Sequence, residues 1–299
     1  MYPNNTTAGR VQVRDVKSRA KNRSGTLSRF LRHRLAVVGG AMLVFMIAAV
    51  VFGPVLLQQN YILIDIRSRF LPPLSGIHLL GTDELGRDVA SRILMAGRIS
   101  MSIGVAVMVI ATAVGTIVGM IAGFYQGLIG SVLMRFVDAV LCFPPIFLLL
   151  AIASFIHPNA ITLTLIIAAT CWMEVARIVE SRVRSFRERD FVVAAEMLGA
   201  SDRIILFREL LPNMVGPIAV AATLTVARAI LMEAYVSFLG FGIQPPDASW
   251  GNMLNGAQAY LISAPWLAFA PGVAIILAVA SVNFLGDGLR DSFDARTRA

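Results

Sequence analysis

The chain has 299 residues, 57% of them hydrophobic and 15% charged, with a formal net charge of +8 at pH 7. So low a charged share excludes an ordinary water-soluble domain, in which about a quarter of residues are charged. The positive balance raises nucleic acid as a partner, but the charges are spread as topological signals rather than as one basic face, so no nucleic acid is expected.

Residues 1–34 form a polar tail that opens "MYPNNTTAGRVQVRDVKSRAKNRSG" and shows no periodic apolar face, so its start is expected to be poorly ordered. No short basic region leads straight into an apolar core, and no removable signal peptide is expected. From Leu27, the residues Leu27, Phe30, Leu31 and Leu35 share one helical side, which predicts an interfacial helix on membrane lipid. The basic residues from Arg10 to Arg34 suit anionic headgroups or simple retention on the cytoplasmic side.

Residues 35–289 hold six apolar runs, each near the roughly 20 residues needed to cross a bilayer. They span Leu35 to Leu57, Ile99 to Phe124, Val132 to Ile156, Ala160 to Ile178, Met214 to Gly242 and Trp266 to Leu289, and residues 290–299 form a C-terminal tail. The fold class is therefore all-α, a polytopic membrane protein. With alternating spans, twenty Lys and Arg fall on one side, with both termini, and five on the other. The positive-inside bias places both ends in the cytoplasm.

Between the first two spans, "LLGTDELGRDVASRILMAGRIS" carries Leu85, Val89, Ile93 and Ala96 at three- and four-residue spacing, with Asp88 and Arg92 on the polar side. This predicts an interfacial helix leading into the second span. Gly115, Gly119 and Gly123 repeat at four residues within that span and predict a close helix pair. Pro144 and Pro145 in "CFPPIF" should kink or break the third span, either for packing or to line a pathway.

Ionisable groups inside spans are costly and draw attention for that reason. Asp138 lies three residues from Arg135 and Glu174 three from Arg177, so local pairs are expected. Arg228 and Glu233 have no evident partner at helical spacing and are candidates to face water or another subunit. With Asp138, Pro144 and Pro145 they are the candidate pathway residues. Farther on, Trp250, Tyr260 and Trp266 suit a headgroup belt. His33, His78 and His157 are scattered without ligand spacing, and Cys142 and Cys171 read as small apolar side chains, so neither a metal site nor a disulfide is expected.

One polar island interrupts the apolar pattern at about 190–212, in "RDFVVAAEMLGASDRIILFRELLPN". Phe191, Val192, Ala195 and Leu198 predict a short helix ended by Gly199 in a left-handed conformation. Ser201 is placed to cap a second helix with Asp202 in its first turn, Ile204, Ile205 and Leu206 on its apolar side, and Pro212 at its end. A short angled helix of this kind suits a groove on a cytoplasmic partner. The two lysines, Lys17 and Lys21, lie in the tail and in no phosphate-loop setting, so ATP hydrolysis is not expected of this chain.

The island resembles the signature of binding-protein-dependent ABC transporter permeases: Glu-Ala-Ala, three residues, Gly, nine residues, Ile-x-Leu-Pro. Ala194, Ala195, Gly199, Leu211 and Pro212 fall in register, whereas Val193 replaces the glutamate and Glu209 the isoleucine. "LGTDELGRD", "SFLGFGIQPPDASWGNML" and "NFLGDGLRD" are similar to the C-type permease of dipeptide, oligopeptide and nickel importers. The resemblance implies a type I importer fold with a coupling helix around Gly199, in which Glu196, Ala200, Ser201, Asp202 and Arg203 join the matched residues against the ATPase. It also implies a second permease, two ATP-binding subunits holding ATP and magnesium, an extracytoplasmic substrate-binding protein, and a bacterial cytoplasmic (inner) membrane. No cofactor is expected on this chain. Peptides are the expected cargo, with nickel, a metal chelate or glutathione as alternatives. A channel or secondary transporter working without ATP, and an intramembrane enzyme, are more distant readings.

Overall fold

The computed structural model describes residue 30 and residues 33–57, 60–156 and 159–297. The N-terminal tail and most of the expected interfacial helix from Leu27 lie outside the described residues, as does His157. Among the described residues the molecule is helical, and its β pairing is limited to isolated bridges between Ser75 and His78 and between Thr82 and Asp88.

The helices are α1 (Arg34–Leu57), α2 (Val89–Tyr125), α3 (Gly127–Leu141), α4 (Pro145–Ala153), α5 (Ala160–Arg187), α6 (Asp190–Met197), α7 (Asp202–Phe238), α8 (Trp250–Ala257) and α9 (Trp266–Thr297). Five of them, α1, α2, α5, α7 and α9, are long and apolar enough to cross a membrane. The α3–α4 pair, bent by 80° at the break before Pro145, makes a sixth when its two helices count as one broken span. Pro144 and Pro145 thus break the third span outright, because neither can donate the backbone hydrogen bond that would continue the helix.

Several boundaries differ from the expectation, among them the end of α5, which runs past Ile178 to Arg187. α2 is one continuous helix of 37 residues, not an interfacial helix joined to a span. Leu85 lies in a turn before it, and Asp88 caps it by accepting from the Ser91 N–H at 2.7 Å. Arg92 and Arg98 end the apolar pattern without ending the helix, because tertiary partners hold them. Arg92 approaches Asp83 at 3.5 Å. Arg98 donates from Nε to the Val50 carbonyl at 2.9 Å, an oxygen left without its helical donor by Pro54. Pro212 likewise does not end a short helix. It lies in the first turn after a π-helical stretch, Ile205–Leu210, where the Leu211 N–H donates to the Leu206 carbonyl five residues back, and α7 runs on to Phe238. The wider winding makes room for a ring that would otherwise press on the Arg208 carbonyl. Finally, α9 continues past Leu289 to Thr297.

The core is organised around α2 and α5. A methyl group on Gly115, Gly119 or Gly123 would come within 2.8 Å of the carbonyl oxygens of Trp172, Ala176 and Glu180 respectively, and against the side chains of Val175, Val179 and Val183. The predicted close helix pair is present, and backbone meets backbone along three successive turns.

Trp250, expected in a headgroup belt, is instead fully buried beneath α2, where its indole N–H donates to the Ile93 carbonyl at 3.1 Å. Trp266 reaches the Thr82 carbonyl at 3.4 Å, and Tyr260 packs on Phe70 with ring centroids 4.8 Å apart. These aromatics knit the loops at the end opposite α6 into the bundle.

Candidate functional site: an angled helix under the bundle and a charged row within it

α6 begins at Asp190, whose charge sits in the first turn, where the helix dipole favours it. It ends in a two-bond turn: the Gly199 N–H donates to the Glu196 carbonyl at 3.0 Å, and the Ala200 N–H to the Ala195 carbonyl at 3.0 Å. Gly199 has φ +76°, the left-handed value that lets this closure form. Ser201 occupies the cap position of α7, but its side chain makes no capping bond, and its carbonyl accepts from the Ile204 and Ile205 N–H groups instead. Asp202 lies in the first turn as expected, near the Tyr125 hydroxyl at the end of α2.

The apolar residues of this region divide between two faces. Val192, Ile205, Leu206 and Leu210 are buried in a cluster with Phe124, Val179, Val183 and Met214, which fixes α6 to the ends of α2, α5 and α7. Ala195, Ala200 and Leu211 pack at its edge. Arg187 strengthens the seat, donating to the Phe124 carbonyl and lying 5.1 Å from the centre of that ring, with Glu196 4.0 Å from its guanidinium. On the other face, Met197 and Leu198 are 83% and 88% exposed, with Ile204 and Phe207 beside them in sequence and also exposed. Of the four apolar residues that predicted the short helix, Val192 and Ala195 pack inward, whereas Phe191 and Leu198 are exposed. Ala194, Ser201, Asp202 and Arg203 are exposed as well, whereas Pro212 belongs to the α7 backbone.

The ionisable residues inside the spans find partners that sequence spacing did not show. Asp138 pairs with Arg177 of α5, not with Arg135, and Glu174 pairs with Arg228 of α7, not with Arg177. Both pairs are about half exposed. Glu233 departs furthest from expectation, being fully buried. It accepts from the Ser100 and Ser237 hydroxyls at 2.7 Å each and faces no open surface of this chain. Ser237, four residues on, was a helical-spacing partner legible in the sequence. Pro144 and Pro145 stand at the bend, between the Asp138 helix and α4. Cys142 and Cys171 are both free thiols.

At the end opposite α6, the stretch "LGTDELGRD" is a tight knot of turns. Asp83 accepts from the Leu85 and Arg87 N–H groups at 2.9 Å and from Arg87 Nε at 2.7 Å. Asp88 also meets His78 Nδ1 at 2.9 Å. Exposed Asp65, beside this knot, has its carboxyl held below the usual range by the Ser68 hydroxyl and the Arg67 N–H.

Comparison with known proteins places these features in a family. Residues 115–299 match the profile of the binding-protein-dependent transport system inner membrane component, and residues 24–73 that of the N-terminal transmembrane domain of oligopeptide transport permease C. A Brucella suis protein whose name describes it as a peptide permease is 42% identical over 271 residues, covering 90% of this chain and 89% of its own. A Brucella abortus peptide transport system permease protein is 37% identical over 274 residues, 91% and 92% of the two chains. The dipeptide transport system permease protein DppC of Alkalihalophilus pseudofirmus is 37% identical over 268 residues, 90% and 88%.

Proposed function

Because the chain belongs to the family of binding-protein-dependent transport system inner membrane components, we propose that it is the membrane-spanning subunit of an ATP-driven importer of peptides. The peptide cargo is inferred from relatives named for peptide transport. In this reading an external binding protein delivers the peptide, a second permease completes the pathway, and two ATP-binding subunits dock beneath α6. Both termini and α6 lie in the cytoplasm of a bacterium, and the Asp83 knot and α8 face outward.

One observation carries the reading: α6 presents exposed Met197 and Leu198 on a base fixed to three spans. An apolar tip in water is uneconomical unless a partner covers it, and a rigid base is what transmits a partner's movement. When the ATP-binding subunits close, α6 is displaced as a rigid body, and α5 and α7, which it joins, move with it. The α2–α5 pair, locked by glycine contacts, travels as one unit. The chain performs no covalent step; ATP and magnesium are held by the partners.

The test is reconstitution of the tagged chain with a second permease, ATP-binding subunits and binding protein in vesicles. Uptake of labelled tripeptide should require both ATP and the binding protein. Uptake of nickel or glutathione in place of peptide would replace the cargo, and flux without ATP would replace the mechanism.

A further inference from the structure

Four charged side chains form two neighbouring pairs on the half-exposed face shared by α3, α5 and α7. Asp138 on α3 accepts from Arg177 on α5, and Glu174, one turn before Arg177 on the same helix, forms an ion pair with Arg228 on α7. The signs alternate along the row and sum to zero. Asp138, Glu174 and Arg228 fall within the apolar runs 132–156, 160–178 and 214–242, with Arg177 at the cytoplasmic end of its run, so the row lies within the spans and reaches toward the cytoplasmic side. Side-chain exposure across the four ranges from 39% to 55%. Charges this exposed at that depth would be heavily penalised against hydrocarbon, so the face they occupy looks onto water. A hollow of about 120 Å³ opens there, bordered by Cys171, Glu174, Ile178, Thr225 and Arg228.

Resting on the peptide reading above, we propose that this row is the strip that handles the charged termini of a peptide in transit. The peptide carboxylate exchanges into the place of Glu174 on Arg228, or of Asp138 on Arg177, and the peptide ammonium pairs with the carboxylate released. Guanidinium suits the exchange because it carries five N–H donors in a fixed fork, more than one carboxylate can occupy. Alternation gives a zwitterion partners of both signs at several registers, and the zero sum traps neither acidic nor basic cargo. Glu174 and Arg228 also sit on the two helices that α6 joins. Displacement of α6 therefore changes the span across which they reach, which couples release of the termini to the ATP-binding subunits.

The reconstituted importer is assayed for uptake of Ala-Ala-Ala, Ala-Lys-Ala and Ala-Glu-Ala, with membrane level and subunit co-purification measured alongside. Glu174→Gln leaves a positive wall and should lower Ala-Lys-Ala uptake relative to Ala-Glu-Ala by roughly three- to tenfold; Arg228→Gln should reverse the ratio. Ile178 at the rim of the hollow provides a second route that breaks no pair, should the glutamine variants fail to accumulate. Ile178→Lys and Ile178→Glu should shift the ratio in the same opposite senses. A uniform loss for all three peptides with an unchanged ratio would overturn the proposal and mark the pairs as a contact surface for the second permease. Unchanged ratios at normal uptake would overturn it too. A wild-type importer that moves no peptide overturns the peptide reading itself, an outcome separate from wild-type uptake with insensitive variants.

Discussion

Glu233 Oε2 accepts a hydrogen bond from Ser100 Oγ at 2.7 Å, joining α7 to α2 across 133 residues of sequence. Ser237 serves the other carboxyl oxygen, and the Trp250 and Ile243 N–H groups reach the two serines at 3.3 and 3.2 Å. Three helices and a loop therefore meet on one buried side chain. Glu233→Ala should destabilise the detergent-solubilised protein by about 2 to 4 kcal/mol, through a cavity and two orphaned hydroxyls. Glu233→Gln, which keeps shape and bonding, should stay within about 1 kcal/mol. Thermal unfolding of the purified chain measures both. Equal losses would mean that the charge, and not the hydrogen-bonded shape, is what matters.

The α2–α5 contact has no room for a side chain. A methyl on Gly119 would stand 2.5 Å from the Ala176 carbonyl, a backbone atom that cannot rotate away. Gly119→Ala should cost about 1 to 3 kcal/mol, and Gly119→Leu should abolish accumulation in the membrane. Gly272→Ala, where nothing lies within 4 Å, is the matched control. A Gly119→Ala protein as stable as that control would refute the packing.

At Gly199 the constraint is conformational rather than steric, since nothing lies within 4 Å of an added methyl but φ is +76°. Gly199→Val should cost about 1 to 3 kcal/mol of backbone strain, local to the turn because an added side chain there meets nothing within 4 Å. The variant is expected to insert and pair normally while losing ATPase co-purification or substrate-stimulated hydrolysis. Gly199→Asn, which tolerates the left-handed region, should retain most of both. Intact coupling in the valine variant would show that this turn is not the transmitting element.

Met197→Glu and Leu198→Glu alter side chains that touch almost nothing in this chain, so stability should change by less than about 0.5 kcal/mol. Association with the ATP-binding subunits should nonetheless fall at least about tenfold in a pull-down titration, as expected for charge placed in an apolar interface. Retained association would place the docking surface elsewhere.

Topology is open to direct labelling. In a background with Cys142 and Cys171 replaced by alanine, cysteines at exposed Ile77 and Ile262 should react with an impermeant thiol reagent applied to whole cells. A cysteine at exposed Ser201 should react only after the cells are opened. Inverted reactivity would reverse the orientation drawn from the twenty-to-five distribution of Lys and Arg.

Much of this architecture was written in local sequence. Span number follows from apolar runs of bilayer length, because a backbone in hydrocarbon must satisfy itself within a helix. The Gly115, Gly119 and Gly123 spacing named a helix face, Pro144 and Pro145 named a break, and Gly199 named a left-handed turn. Each of these depends only on residues within a turn or two of one another. Tertiary structure decided what lies beyond that range. The pairs Asp138 with Arg177 and Glu174 with Arg228 join different helices, and sequence spacing offered Arg135 and Arg177 in their place because neighbours along one helix are all that a linear pattern can show. The burial of Glu233 and Trp250 was hidden for the same reason, since a polar or amphipathic residue goes inside only where another element completes its hydrogen bonds. α2 outran its apolar run because Asp83 and the Val50 carbonyl, both outside that helix, receive its arginines. Local chemistry determined the elements, and contacts between distant segments decided which of their polar groups were sealed in and which were left facing water.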